Sequence, residues 1–433
     1  MAIKDFFSKK KQGNTEEEER YILSIDGGGM RGIIPAIILE KISQLMEEMG
    51  DNRPFYSHFD LISGTSTGGL IALSLSIPIQ KSALPADTRY ISYIYEKLSK
   101  TFMQKIKKAP ASEQLKGTLP LGVKTSDLES LYAVHGKEIF PKSQGRIFSQ
   151  IFTDKYDAEP LERYLKKIFR DVPLSEAQVP VMVMTYDAAN GRPFPISSRD
   201  SHGFLFWEAG RATSAAPTYF KPAFLFDREE QTMQTLIDGG MVANNPSLYA
   251  YCEAKKLYPN AKKFHILSLS TASSDFTFTI SGSGTGVIGW IDPAKGAPIQ
   301  RIYANAQVQT TDVLAQEIPD LSYTRVHGPL DDALKLDAIS PSAINLMREG
   351  ALTIYRENEE KIRAFATLLT QRTTFDQLTL GPKEIEPLLV APEPDSEETP
   401  EEPEELSPSL SPYYTFLNRY GLTDKDSNEG ASV

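Results

Sequence analysis

Short apolar, β-branched runs punctuate the chain at YILSI (21–25), HFDLIS (58–63), VPVMVMTY (179–186), TLID (235–238) and FHILSLS (264–270). Each has the length and composition of a buried strand. Between them lie stretches with helical spacing: Ile33, Ile37, Ile38, Ile42 and Met46 share one face of a helix that Gly50 is placed to close. Strands alternating with helices predict an α/β fold, with a mainly parallel central sheet covered by helices on both faces: a three-layer α/β/α sandwich. No internal repeat of roughly 20–50 residues interrupts that alternation, so the chain is not a solenoid or a propeller.

The pattern ends near the C-terminus. Residues 384–412 are rich in proline and glutamate and lack the apolar content that offsets the entropy of ordering, which predicts a disordered linker. Beyond it YYTFLNRYGL (413–422) is aromatic enough to dock, but as a chain terminus it reads first as a loosely held tail. The expected organisation is an N-terminal extension over 1–19, one folded domain over 20–380 and a disordered acidic tail over 381–433. Charge then changes its meaning. The stretch APEPDSEETPEEPEEL (391–406) holds eight acidic groups and no basic one, so the formal net charge of −11 falls to −3 once they are set aside. The folded part is nearly balanced, which gives no support to a nucleic-acid polymer as partner. A single cysteine, Cys252, rules out an intramolecular disulfide and points to a reducing compartment. No signal-peptide core opens the chain and no run reaches about 18 apolar residues, so a soluble, cytoplasmic protein is expected.

Candidate chemistry begins at ISGTSTGGLIAL (62–73). Ser66 stands between Gly64 and Gly68, after one apolar run and before another. Gly-X-Ser-X-Gly between a strand and a helix is the nucleophile elbow, in which glycines admit a strained turn that projects the hydroxyl. The helix N-terminus would also set backbone donors beside an anion at Ser66. A second cluster, SIDGGGMRG (24–32), again follows a strand and opens a helix. Its Gly27, Gly29 and Gly32 match G-X-G-X-X-G, a dinucleotide fingerprint, but Glu47, Glu48 and Asp51 lie at a helix end rather than at the end of a second strand. The other use is an oxyanion hole, since consecutive glycines let N–H groups converge on one point.

A serine hydroxyl needs a base. None of His58, His135, His202, His265 and His327 stands in a marked local signature; in an α/β-hydrolase order His265 or His327 would serve. TLIDGGMVANNPSLYA (235–250) offers a carboxylate instead: Asp238 ends a strand and precedes Gly239 and Gly240, where another backbone or a ligand approaches closely. The plainer alternative is a turn dipeptide.

Taken together, DGGGMRG (26–32), GTSTG (64–68), RATSAAPTYF (211–220) and DGG (238–240) occur in the order that resembles the patatin-like phospholipase family, over roughly residues 20 to 350. The resemblance implies a Ser66/Asp238 dyad without a catalytic histidine, an oxyanion hole from Gly27, Gly28 and Gly29 supported by Arg31, and no metal or cofactor. It implies a lipid acyl hydrolase whose phospholipid or glycerolipid substrate comes from a membrane or micelle, with transient membrane-surface contact. Asp26 reads as structural. EKLSKTFMQKIKKAP (96–110) carries Leu98, Phe102 and Ile106 among lysines and suits either a helix lying on anionic lipid or an ordinary surface helix; Trp290 suits either a lid or the core. The alternatives left open are a phospholipase effector gated by a small-molecule activator, such as a cyclic nucleotide in antiviral defence, a histidine-dependent esterase or thioesterase, and a lipid-binding protein with a vestigial site.

Overall fold

A computed structural model describes residues 18–78, 123–133, 136, 155–200, 202–272, 298–330, 334 and 336–372. All lie in the first of two units, which divide between Gln377 and Leu378. The stretch 96–110, Trp290, His135, the linker and the aromatic C-terminal segment lie outside the described residues.

The strands are β1 (Glu19–Ile25), β2 (Leu61–Thr65), β3 (Val181–Asp187), β4 (Arg192–Pro193), β5 (Ile196–Ser197), β6 (Ala223–Asp227), β7 (Thr232–Asp238), β8 (Lys263–Leu269) and β9 (Leu321–Val326). The helices are α1 (Ile33–Glu48), α2 (Thr67–Ser76), α3 (Thr125–Ala133), α4 (Glu159–Phe169), α5 (Phe206–Thr213), α6 (Ser247–Leu257), α7 (Pro298–Gln316), α8 (Pro341–Glu357) and α9 (Glu359–Gln371). The sheet runs β6-β7-β3-β2-β1-β8-β9, and β4 and β5 pair with β3. Neighbours from β3 through β9 along this order are parallel, whereas the β6–β7 hairpin joins β3 antiparallel.

Side chains alternate across the pleat, so each strand feeds two cores. Leu23, Ile25, Ile62, Val183 and Leu267 face the core that contains α1 and α2. Ile22, Leu61, Met182, Met184 and Ile266 face the opposite way and pack with Ala250 and Ala254 of α6 and Ala315 of α7. This is the α/β/α sandwich, mostly parallel, that the alternation of strand and helix patterns predicts. One boundary differs. The run HFDLIS predicts a strand from His58, but Phe55–His58 forms a 3₁₀ turn and β2 begins at Leu61. His58 is tied to Phe55 O (3.1 Å) and Asp51 Oδ2 (2.9 Å), while the Asp60 carboxylate accepts from the amide of Tyr21 (2.7 Å). Those local bonds compete with the ladder and win.

Gly50 adopts φ +90° just past the C-cap of α1 and donates to Glu47 O (3.0 Å), ending the helix where its spacing predicts. Register then sets the site. Thr65 of β2 pairs with Met184 of β3, and the next residue of β3, Thr185, pairs with Asp238 at the end of β7. The antiparallel hairpin therefore delivers Asp238 to the level at which the chain leaves β2 for Ser66.

Candidate active site

Ser66 is the N-cap of α2 and holds φ 53°, ψ −120°. A non-glycine residue there is strained by about 1–3 kcal/mol and persists only where its surroundings over-determine it. Here the amide of Ser66 donates to Thr213 Oγ1 (2.9 Å), Thr213 Oγ1 donates to Met184 O (2.7 Å), and the carbonyl of Ser66 accepts from Leu70 N (3.0 Å). Glycine on either side is a steric requirement. A Cβ on Gly64 would overlap the backbone of Gly68 and Gly69, and one on Gly68 would overlap the carbonyls of Ile25 and Asp26. The first turn of α2 thus lies directly on the end of β1. Gly68→Ala is expected to push it off, lowering stability by about 1–3 kcal/mol or more as overpacking does. A urea melt with the denaturation midpoint unchanged would refute this.

Asp238 is 5% exposed. Its carboxylate accepts from the amide of Gly240 (2.7 Å) and lies beside the Ser66 hydroxyl, and its own amide donates to Ala215 O (3.0 Å). Desolvation dominates and pushes its pKa up to about 6, against the opposing pull of the Ser66 hydroxyl and the Gly240 amide. Gly239 packs against the backbone of Met184, with no room for a Cβ. Serine and carboxylate, read from stretches far apart in sequence, are brought to the same end of the sheet.

The glycine loop closes over the same place: a Cβ on Gly27 would lie 3.3 Å from that of Ser66. Its three glycines are not equivalent. The amide of Gly27 donates to Asn244 O (3.0 Å), and its carbonyl accepts from Thr271 Oγ1 (2.6 Å) and Asn244 Nδ2 (3.2 Å). Gly27 therefore holds the loop rather than offering a donor, which narrows the expected oxyanion set. Among the described residues no acceptor takes the amides of Gly28 and Gly29. Arg31 is a brace, its amide and Nε directed at Gly28 O (3.2 and 3.5 Å) and its Nη1 donating to Ala272 O (3.1 Å). Asp26, just before the loop, is buried and bound by Arg325 through two bonds of 2.9 and 2.6 Å.

Three of the described histidines, His58, His202 and His265, are paired with carboxylates. His265 sits early in β8, stacks on Tyr21 and bonds Glu19 Oε2 (2.9 Å), some four residues, or about 13 Å of strand, from the end that meets the site. His327 follows the outermost strand β9, and its carbonyl accepts from Asn358 Nδ2 (3.0 Å). His202 pairs with Asp227 (2.6 Å). Among the described residues no group of three or more His, Cys, Asp or Glu side chains is placed to hold a metal ion.

The sequence model of patatin-like phospholipases matches residues 23–251, more than half of the chain and, of the residues just described around Ser66, Asp238 and the glycine loop, all but Thr271, Ala272 and Arg325. The chain belongs to the patatin-like phospholipase family. Patatin-like protein 2 of Oryza sativa subsp. indica is 27% identical over 325 residues, covering 67% of this chain and 71% of that one. Patatin-like protein 2 of Arabidopsis thaliana is 29% identical over 350 residues, covering 74% and 77%. Phospholipase A I of Arabidopsis thaliana is 26% identical over 376 residues, 79% of this chain but 27% of its own length. Membership places the protein among lipid-hydrolysing esterases. No helix among the described residues is long and apolar enough to cross a membrane.

In this patatin-like phospholipase the residues that hold the site are those the motifs do not show. Thr213 was visible only as part of RATSAAPTYF, and Asn244 only as part of TLIDGGMVANNPSLYA; Thr271 and Arg325 carried no local signal at all. Each acts across a large separation in sequence.

Proposed function

We propose that the protein is a phospholipase A-type lipid acyl hydrolase working through a Ser66–Asp238 dyad and an acyl-enzyme. The observation that carries this reading is the juxtaposition of the Ser66 hydroxyl with the buried carboxylate of Asp238, with the serine held at positive φ on a helix N-terminus. Ser66 Oγ attacks the ester carbonyl carbon and its proton passes to Asp238. The carbonyl oxygen takes up the negative charge and is met by the amides of Gly28 and Gly29, with Gly27 and Arg31 holding the loop; such preorganised donors are usually the largest single contribution to acyl transfer. Collapse of the tetrahedral species expels the glycerol alkoxide, which is protonated by Asp238. Water, deprotonated by the same carboxylate, then hydrolyses the acyl-serine and restores both groups. No step requires a metal or cofactor. The substrate is a phospholipid or related glycerolipid drawn from a cytoplasmic membrane surface.

A base must be ionised to act, so kcat/KM is expected to rise with pH through about 6, the position to which burial pushes Asp238, and to level off above it. A pKa of about 6 gives about a tenfold rise between pH 5 and 8, so a profile with a soluble ester that changes by less than about twofold over that range would exclude the carboxylate as base. The location is tested by labelling with a fluorophosphonate and mapping the adduct by mass spectrometry. Modification at Ser66 is the expected result, and modification elsewhere with retained lipid hydrolysis overturns the reading.

A further inference from the structure

The amides assigned to the oxyanion belong to a run of three glycines that has no side chains of its own to stiffen it. Donors of this kind work only when held within about 0.5 Å of the productive position. One end of the run is fixed by Asn244 and Thr271, through both polar groups of Gly27. The other end is fixed from outside the segment that matches the family. The amide of Met30 donates to Leu336 O (2.7 Å), and the same carbonyl packs so closely on Gly29, which stands at φ +57°, that a Cβ there would overlap it.

Leu336 is itself tethered by its neighbour. The carboxylate of Asp337, 7% exposed in its side chain, is paired with Lys155 Nζ and accepts from Tyr156 OH (2.7 Å). Lys155 and Tyr156 in turn donate their amides to Thr218 O (3.0 Å) and Tyr219 O (2.8 Å), and the ammonium of Lys155 lies 5.2 Å from the centre of the Tyr219 ring. Thr218 and Tyr219 continue the segment whose Ala215 carbonyl binds the amide of Asp238. A closed chain of contacts thus runs from the oxyanion loop, through Leu336 and Asp337, to the backbone that seats the base.

We propose that Leu336–Asp337 is a positioning element for the oxyanion loop, with Lys155 and Tyr156 as its anchor, so that the aim of the Gly28 and Gly29 amides is set by a part of the chain beyond the family-matched segment. The proposal rests on the Ser66–Asp238 reading. Asp337 touches neither of those residues, so removing its carboxylate should leave the dyad in place and mis-aim the donors.

The test uses the full chain and a soluble short-chain ester, with active sites counted by fluorophosphonate titration. Losing an oxyanion donor outright costs about 10²–10³-fold, and mis-aiming it should cost less, so Asp337→Ala is expected to lower kcat per titrated site by about tenfold. KM should stay within about twofold, since an interaction made only in the transition state leaves ground-state binding alone. The second-order rate of Ser66 phosphonylation should fall by the same factor as kcat, because the phosphoryl oxygen enters the same amide site, and the pH midpoint should not move. Lys155→Met should reproduce the loss and Lys155→Arg should restore most of it; the Lys155 pair carries the test if Asp337→Ala does not fold. A purely structural role would reduce the number of titratable sites without changing kcat per site. That result, or a loss confined to KM, overturns the proposal. Activity retained by Ser66→Ala would instead overturn the dyad reading beneath it.

Discussion

Asp238→Asn is expected to destroy fatty-acid release and, at the same time, to make the protein more stable at neutral pH. The loss follows from the proposed chemistry: removing a general base costs about 10²–10⁴-fold, and Ser66→Ala, which removes the nucleophile, should cost at least as much. The gain follows from burial. Asp238 is 5% exposed and its pKa is raised from 3.8 to about 6, so the folded protein binds this proton more tightly than the unfolded chain does. Ionising it in the fold costs about 3 kcal/mol at the exchange rate of 1.36 kcal/mol per unit. For a raised carboxyl the sign is definite: the contribution of Asp238 to stability is full below about pH 4, is lost as pH rises towards 6 and is level above that. An amide never pays this cost, yet its oxygen can still accept from Gly240 N and its nitrogen can still meet Ser66 Oγ. The difference in melting temperature between variant and wild type should therefore be near zero at pH 4 and open to several degrees by pH 7.5. Calorimetry at the two pH values gives the answer, and a difference independent of pH would show that Asp238 is not carried as a buried anion. Inactivity with increased stability also separates a functional carboxylate from a structural one, whose removal would cost stability.

The chemistry-bearing residues were legible because each sits in a local pattern. Gly64, Ser66 and Gly68 fit one turn, and the reasons they must be glycine or project a hydroxyl are contained within a few residues of backbone. Asp238 could be read only as the end of a strand before two glycines; what brings it to the level of Ser66 is that β7 runs antiparallel to β3, and no pattern in TLID tells a parallel strand from an antiparallel one. The same limit explains the start of β2, where Asp51 and Asp60 capture groups that the apolar run alone would give to a strand. The glycine loop was legible as a donor loop, but not which amide was already spent. Gly27 is committed by Asn244, more than two hundred residues away, and its neighbours are free to point at an oxyanion because that commitment has been made. Roles set by a partner's position in the fold leave no trace in spacing.

Arg325 is the strongest case, and Arg325→Ala should be among the most damaging single changes in the protein. Its guanidinium binds both oxygens of Asp26 (2.9 and 2.6 Å), and it also reaches Ser268 Oγ (2.8 Å) and Asp312 Oδ1 (3.3 Å). The Asp26 side chain is 3% exposed, and burial already raises its pKa, against the pull of Arg325. Deleting the arginine strands a carboxylate that water cannot reach, a change worth about 3–5 kcal/mol when one member of a buried pair is lost. The deficit should be largest at neutral pH and shrink on acidification, since protonating Asp26 removes the stranded charge; urea melts at pH 7.5 and pH 5 measure both values. Replacing both partners, as Asp26→Asn with Arg325→Met, should recover most of the stability, because an ion pair exchanged for groups of similar shape costs little. It need not recover activity. Asp26 is bonded to Gly27, and the pair fixes the N-terminal approach to the oxyanion loop as Leu336 fixes its exit, so a refolded double variant with depressed kcat would separate the pair's part in aiming the loop from its part in holding the fold. A single variant within about 1 kcal/mol of wild type would mean that Asp26 finds water or a proton at no cost, and the buried-pair argument would fall.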